Sequence, residues 1–503
     1  MKLKKYLYIL IVLCTMGAFT GCSDWLDYTP KDKETEDQTF SSKQGFYTAV
    51  NGVYNRMADD VLYGQNLTYG MVDIMGRRYQ TPSGLYYNIN GQRFYASIIS
   101  SHSYTDEDFQ TAIESMWEEA YATILNINVI LDNAEKSRGT ILTESDYNLI
   151  RGDLLALRAF LHFDLLRLFG PVYSRNPEQL SIAYNNSREA QVFERESARN
   201  IIYDHVIPDL EAAEECLAEH DPVVTEGPLA NSIEGEDNYA RYRQLRLNYY
   251  AVILLKARVY LWAGDTANAL AEAQRLTDDP QVGVWFPFVD SDRLLSNTVD
   301  PDRTFSTECL FGFYDSGRNN IFTTFFDGAN LTSSALYQPR SGYVTTLFTN
   351  TSDYRYRSQW TISGSSNSLV KFNEIEITEE EEENNTYPFY TYFMPLMHLS
   401  EAYYIAAECL LNTDIDKARS YMDTIMAARG RQPLDSEISA DDLLTEIKNE
   451  YMREMVGEGQ VFYMLKRFYQ GFSGNYDASQ TGSTSATEAR YVVPLPESEL
   501  INR

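Results

Sequence analysis

The chain has 503 residues, 44% of them hydrophobic and 23% charged, a balance ordinary for a folded globular body. Its formal charge is −30, from 72 acidic against 42 basic residues. A surface so acidic repels nucleic acid and anionic lipid surfaces, which argues against DNA or RNA as the partner.

Read from the start, Lys2, Lys4 and Lys5 precede an apolar run from Tyr6 that continues to Phe19, and the run closes on Ala18-Phe19-Thr20-Gly21-Cys22. A basic start, a short apolar stretch and small residues before a cysteine form a secretory leader. The ending resembles a lipobox, so residues 1–21 are expected to be removed and Cys22 to carry lipid as the anchor. The apolar run is short of the about 20 residues a spanning helix needs, and no second stretch of spanning length follows. Cys14 leaves with the leader. Cys216, Cys309 and Cys409 then remain, an odd number at wide spacing that fits neither a disulfide framework nor a zinc site. Cys216 and Cys409 lie in Ala-rich helical stretches and read as buried, inert thiols.

Residues 22–44 read as a polar tether and 45–503 as one body. A helix is predicted over about 45–57, followed by a Tyr- and Gly-rich loop over 63–104 without clean period. Long helices follow over about 109–136 and 144–169, the second with Leu154, Leu157, Leu161 and Leu168 on one stripe and Gly170-Pro171 as its stop. Another covers about 198–218. Leu247, Tyr250, Leu254, Ala257 and Leu261 step by three and four along one face, and Ala263-Gly264-Asp265 supplies a stop and a new N-cap. Ala267, Leu270, Ala271 and Ala273 face back from the next helix. The plan recurs with Leu399, Ala402, Ala406 and Leu410, a turn at 412–414, then Ile415, Ala418, Met422 and Ile425. Such pairs resemble tetratricopeptide repeats, here separated by insertions. Between about 277 and 395 the pattern breaks into loops and short strands, and Glu379–Glu383 reads as a solvated flexible loop. The fold class is therefore mostly α: tetratricopeptide-like helix pairs forming a scaffold, decorated by long loops and a few short strands.

Several stretches, in order, resemble the SusD/RagB family of surface glycan-binding lipoproteins. They are Ser23-Asp24-Trp25-Leu26-Asp27 behind the lipid cysteine, LLALRAFLHFDLLRLFGPV from Leu154, LKARVYLWAGD from Leu255, PLMHLSEAYYIAAE from Pro395, EYMREMVGEGQVFYMLKR from Glu450, and Pro494-Leu495-Pro496 with Glu499-Leu500. Tyr451, Gln460 and Met464 depart from a family pattern often charged there. The resemblance implies a SusD-like body with an N-terminal region over 45–220, a helix pair and loops over 221–329, and a C-terminal region over 330–503. It also implies an outer-membrane lipoprotein facing outside that takes up a nutrient. It would bind an oligosaccharide or, in some members, a peptide, and pass it to a SusC-like TonB-dependent transporter without cofactor or catalysis. A pure protein-interaction scaffold is the remaining alternative.

Sugars present polar edges and weakly apolar C–H faces, which aromatic rings and hydrogen-bonding side chains match. Such residues work best on loops held by a rigid scaffold. In the first loop Asp73, Arg77, Tyr79, Tyr86, Tyr87, Phe94 and Tyr95 are the candidates, with Arg78 and Asn90 beside them. Adjacent Tyr86 and Tyr87 in an extended segment would point to opposite sides. The resemblance adds a loop from mid-chain, where Trp285, Tyr337, Arg340, Tyr343 and Trp360 are available. Against catalysis stand the absence of H-E-x-x-H or other metal spacing among the five histidines and the absence of G-x-S-x-G. Arg453, Glu454, Glu458, Lys466 and Arg467 near Gly457 and Gly459 read as an ion-pair network closing a helix turn.

Overall fold

A computed structural model describes residues 31–79, 86–89, 92–95, 99, 101–189, 191–233, 235, 237–296, 301–327, 339, 342–363, 366–384, 388–472 and 484–501. Cys22, Tyr337 and Arg340 lie outside the described residues.

The framework is a succession of antiparallel helix pairs. Glu107–Ser137 and Glu144–Phe169 form the first. The second helix starts with a reciprocal cap, in which the Thr143 side chain accepts from the Asp146 amide and Asp146 accepts from the Thr143 amide. It is buried on nearly all sides from Leu149 onward, as befits a helix apolar around most of its circumference. Gly152 lets the helix Ile207–His220 close in, since a Cβ there would lie 2.5 Å from Leu217. At the C-terminal end, Lys466 donates to the carbonyls of Arg167 and Gly170 at 2.7 and 2.8 Å, satisfying oxygens the helix itself leaves open. The predicted helix over 198–218 is helical throughout, as a turn Ala198–Asn200, a π turn Ile201–Val206 and the helix Ile207–His220.

Tyr249–Ala263 and Thr266–Thr277 form the next pair, joined by Gly264 at φ 76° and capped by Asp265. Leu399–Leu410 and Ile415–Ala428 repeat the plan with Asp414 as cap. Though far apart in sequence, these two pairs stack directly, Thr266–Thr277 on Leu399–Leu410, with Ala269, Ala273 and Ala402 fully buried in the stack. Arg258 crosses it to Glu401 through a bidentate pair at 2.7 and 2.6 Å.

The strands form four two-stranded antiparallel ribbons among the described residues: β1 (Tyr86–Ile89) with β2 (Gln92–Tyr95), β3 (Leu180–Ala183) with β4 (Arg195–Ser197), β5 (Cys309–Tyr314) with β8 (Phe393–His398), and β6 (Trp360–Ser363) with β7 (Ser366–Leu369). The helix with the face from Leu399 starts there, as its periodicity predicts, and the residues from Pro395 before it belong to strand β8, buried on both faces and paired with β5. Two expectations are corrected here. The glutamate run forms a short helix, Glu379–Asn384, opened by a reciprocal cap between Thr378 and Glu381. The tether is helical over Lys31–Thr39, and Glu36 docks it to Asn133 and Arg188 at 2.8 and 2.9 Å.

Cys216 and Cys309 are buried and Cys409 half-buried; all three are free thiols. Burial pushes the Cys409 thiol up to about 12, so it stays protonated. No helix among the described residues is long and apolar enough to cross a membrane.

Candidate functional site

The segment after the helix Lys43–Met57 is a chain of tight turns. Gly64 and Gly70 make it possible, because a Cβ at either would lie under 3 Å from a backbone oxygen of the previous turn. A buried helical turn, Met71–Met75, follows. Arg77 takes a left-handed φ of 58°, and Tyr79 then pairs with Pro339 as an antiparallel bridge. This bridge joins the first variable segment to the mid-chain one. Beside it the Arg78 guanidinium lies 5.5 Å from the centroid of the Tyr343 ring, which is half-buried at the start of the helix Tyr343–Leu347.

Beneath the bridge is an aromatic floor. Tyr69 packs on Phe325, Phe326 and Phe372 with centroids 5.6, 6.1 and 6.1 Å away, and Tyr79 packs on Phe326 at 6.4 Å. The Tyr79 hydroxyl donates to Asp73 at 2.6 Å. Burial pushes the Asp73 carboxyl up to about 7, against the opposing pull of that hydrogen bond and of the Gly459 and Gly457 amides.

From β1 to β2 the hairpin register pairs Tyr86 with Tyr95 and Tyr87 with Phe94; for these four the structure describes the backbone only. The other candidates are placed as follows. Asp73 and Tyr79 are each 1% exposed and Trp360 5%, so they are supports rather than surface: a ring enclosed by the core has no face left for a sugar. Arg77 is buried, with its guanidinium on Thr484 at 2.7 Å and over Phe472. Trp285 ends the helix Pro280–Trp285 and packs on Gly227, where a Cβ would lie 2.5 Å from the indole. None of its described contacts reaches Tyr79 or Tyr343. Sequence reasoning missed the Arg78–Tyr343 contact and the floor made by Phe325, Phe326 and Phe372. The Phe325-Phe326 doublet was the one local signal for a floor, and nothing in spacing joins positions 78 and 343.

A family model described as "Starch-binding associating with outer membrane" matches residues 24–226, and a second, described as "SusD family", matches residues 318–499. The chain belongs to the SusD family. A SusD superfamily protein from Bacteroides thetaiotaomicron superposes on 92% of this chain and 98% of its own, with TM-score 0.67 and 21% identity. A SusD-like carbohydrate binding protein from Bacteroides vulgatus covers 92% and 96% with TM-score 0.67 and 19% identity. A SusD superfamily protein from Bacteroides fragilis covers 92% and 98% with TM-score 0.63 and 18% identity. No curated protein matches the sequence.

In this SusD-family chain Arg453, Glu454 and Glu458 of the charged helix junction form buried ion pairs, as the sequence suggests, whereas Lys466 donates to backbone carbonyls and Arg467 pairs separately with Glu408. Glu454 binds Arg429 and also Arg355, the latter at 2.8 Å, while Arg429 reaches across to Glu308. Glu450 binds Arg355 and Arg453, each at 2.7 Å. Burial alone would raise the Glu454 carboxyl, but Arg429 and Arg355 override it and hold it well below the usual range. Glu308, His398 and Glu454 bring their ligand atoms within 4.8 Å of one another, a metal-like grouping. Arg429 already pairs with both carboxylates and supplies the positive charge a cation would bring. Cys309, His398 and Glu458 also line up in hydrogen-bond sequence, Sγ to Nδ1 at 3.2 Å and Nε2 to Oε1 at 2.9 Å. Burial and the nearby Glu458 push the Cys309 thiol up, and all three groups are at most 1% exposed, so this alignment holds β5 against β8 with no route for a substrate. Gln460, uncharged among these charges, accepts from Arg167 at 2.9 Å.

Proposed function

We propose that the protein is a non-catalytic, lipid-anchored binder of oligosaccharides at the outer membrane, with its ligand face at the junction of the β1–β2 hairpin and the segment 339–347. The observation that carries this reading is the Tyr79–Pro339 bridge with the Arg78–Tyr343 contact beside it. Two segments 260 residues apart in sequence meet over a rigid aromatic floor, and the meeting point offers a half-buried phenol and a guanidinium. A tyrosine ring can stack on the C–H face of a sugar, while its hydroxyl and the arginine take hydroxyl groups. The family description, starch-binding and associating with the outer membrane, supports the same role. In this reading Cys22 carries the lipid, Tyr86, Tyr87, Phe94 and Tyr95 contribute from the hairpin, Tyr337 and Arg340 from the facing segment, and a SusC-like TonB-dependent transporter receives the ligand.

The test is titration calorimetry of the protein against a panel of neutral oligosaccharides, with a peptide pool as control. Binding of one glycan class is expected, weakened by roughly tenfold or more in Tyr343→Ala, since ring stacking on a ligand is worth on the order of 1–3 kcal/mol. A Tyr86→Ala, Tyr87→Ala double variant is expected to lose binding too. Glycan binding untouched by either variant would move the face elsewhere, and binding of peptides alone would replace the glycan reading.

A further inference from the structure

A second concavity lies between the loop after Arg293, the helix Tyr354–Gln359 and the segment leading to the glutamate run. It is an open cleft of about 940 Å³. Its charged lining is Arg293, Arg303 and Arg357 with Glu376 and Glu381, a positive balance in a chain of net charge −30. Two of the arginines each donate to a neutral oxygen. Arg293 donates to the Tyr390 hydroxyl at 2.7 Å and lies 4.9 Å from the centroid of that ring, and Arg303 donates from Nε to the Ser358 carbonyl at 3.2 Å. Arg293 and Arg357 are exposed, and among the described residues neither has a carboxylate in ion-pair range. Their neighbour Arg355, by contrast, is fully buried and bound to three carboxylates. On the rim, Glu381 is already engaged by the amide and hydroxyl of Thr378 at 2.9 and 2.8 Å.

Guanidinium groups present flat forks of donors that match the paired oxygens of an oxyanion. A wide, open, charge-lined cleft suits a hydrated, polyhydroxylated ligand better than an apolar one. We infer that this cleft binds an acidic sugar residue, with Arg293 and Arg357 taking its oxyanion. The cleft is separate from the face built on Tyr343, so the chain would carry a second, charge-selective saccharide site. The oxyanion can be a uronate carboxylate or a sulfate ester; the arginine chemistry is shared.

The experiment titrates the full-length protein in detergent with galacturonate and glucuronate tetramers, a sulfated oligosaccharide, and the same uronate tetramers reduced at their carboxyl groups to the neutral sugars. The site predicts binding of at least one acidic probe. It predicts a loss of roughly tenfold or more for the carboxyl-reduced form of any uronate that binds, as for removal of a charged hydrogen-bond partner. An Arg293→Gln, Arg357→Gln double variant is expected to show a similar loss; both residues are exposed, so its unchanged circular dichroism and melting curve check the fold. Uronate binding assigns the carboxylate source and sulfated binding the sulfate source. The inference is overturned if no acidic probe binds, if a reduced tetramer binds as well as its parent, or if acidic binding survives the double variant. Acidic binding lost in Tyr343→Ala but retained in the double variant also overturns it, while leaving the Tyr343 face standing.

Discussion

Asp73 shows how a residue chosen for ligand chemistry can serve the scaffold instead. Its carboxyl is raised to about 7 because burial penalises the charge more than Tyr79 and the nearby amides relieve it. The unfolded chain releases this proton near the ordinary value of about 3.9, whereas the folded chain keeps it to about 7. Between those values the unfolded state binds fewer protons, so this group's contribution to stability falls as pH rises, and the full loss is reached above pH 7. Asp73→Asn retains an acceptor for the Tyr79 hydroxyl and has no charge to bury. It should leave the melting temperature nearly unchanged at pH 4 and raise it at pH 8, by an amount on the order of a few kcal/mol in stability. A thermal melt series from pH 4 to 8 checks this; parallel curves for the two proteins would show that the carboxyl is not shifted. Glu454 has the opposite sign. Its depressed carboxyl contributes stability at neutral pH that is lost as pH falls through the acid range.

Among the elements, the junction between the helices Ala440–Glu454 and Gln460–Arg467 packs behind the segment proposed to carry the ligand face. Gly459 has φ 73° and starts the second helix, and a Cβ there would sit 2.6 Å from the Leu67 carbonyl oxygen. The glycine is required twice, for the left-handed turn and for the close approach of the first variable segment. Gly459→Ala is expected to cost about 1–2 kcal/mol from the backbone angle alone, with the displaced 67–68 carbonyls adding to it. Urea unfolding measures the cost, and a loss of glycan affinity beyond the change in stability would show that the displacement reaches Tyr69 and the aromatic floor. The same element scale explains what could be read in advance. The helix pairs were legible because capping residues and 3.6-residue periodicity act locally, as at Asp265 and Asp414. Strand β8 was not, because Phe393 to Met397 are apolar on both faces and their partner, β5, lies some 80 residues earlier.

For the whole molecule, the two family matches and the mostly helical class agree with the sequence reading, since they rest on motifs spread along the chain. The proposed ligand side was legible in the sequence only as two regions, 63–104 and the middle of the chain. Which side chain faces outward depends on tertiary contacts such as Arg78 with Tyr343, and composition carries no trace of them. Exposure reversed the reading of Asp73, Tyr79 and Trp360 because Tyr- and Trp-rich loops can fold inward as readily as outward. Charge is also a property of the whole. At −30 the folded chain repels itself, and added salt should relieve this while leaving the buried network at Glu454 and Arg429 largely unscreened. The melting temperature is expected to rise from low ionic strength to about 0.15 M, where the Debye length falls to about 8 Å; a fall would mean that surface ion pairs outweigh the repulsion.

The stacked helix pairs also carry a consequence for the order of events in folding. Arg258 finds its carboxylate on Glu401, 143 residues further along the chain. Until that glutamate has emerged, the pair Tyr249–Ala263 and Thr266–Thr277 has an apolar flank without cover and a cation that cannot be buried without a large penalty. The Tyr249–Thr277 hairpin is therefore not expected to mature alone as the chain is synthesised. It must wait, open or attended by a chaperone, for the C-terminal third to arrive. Closure is a late, non-local step, and a nascent chain stopped short of residue 401 should remain sensitive to protease across a hairpin whose own sequence is among the most helical in the protein.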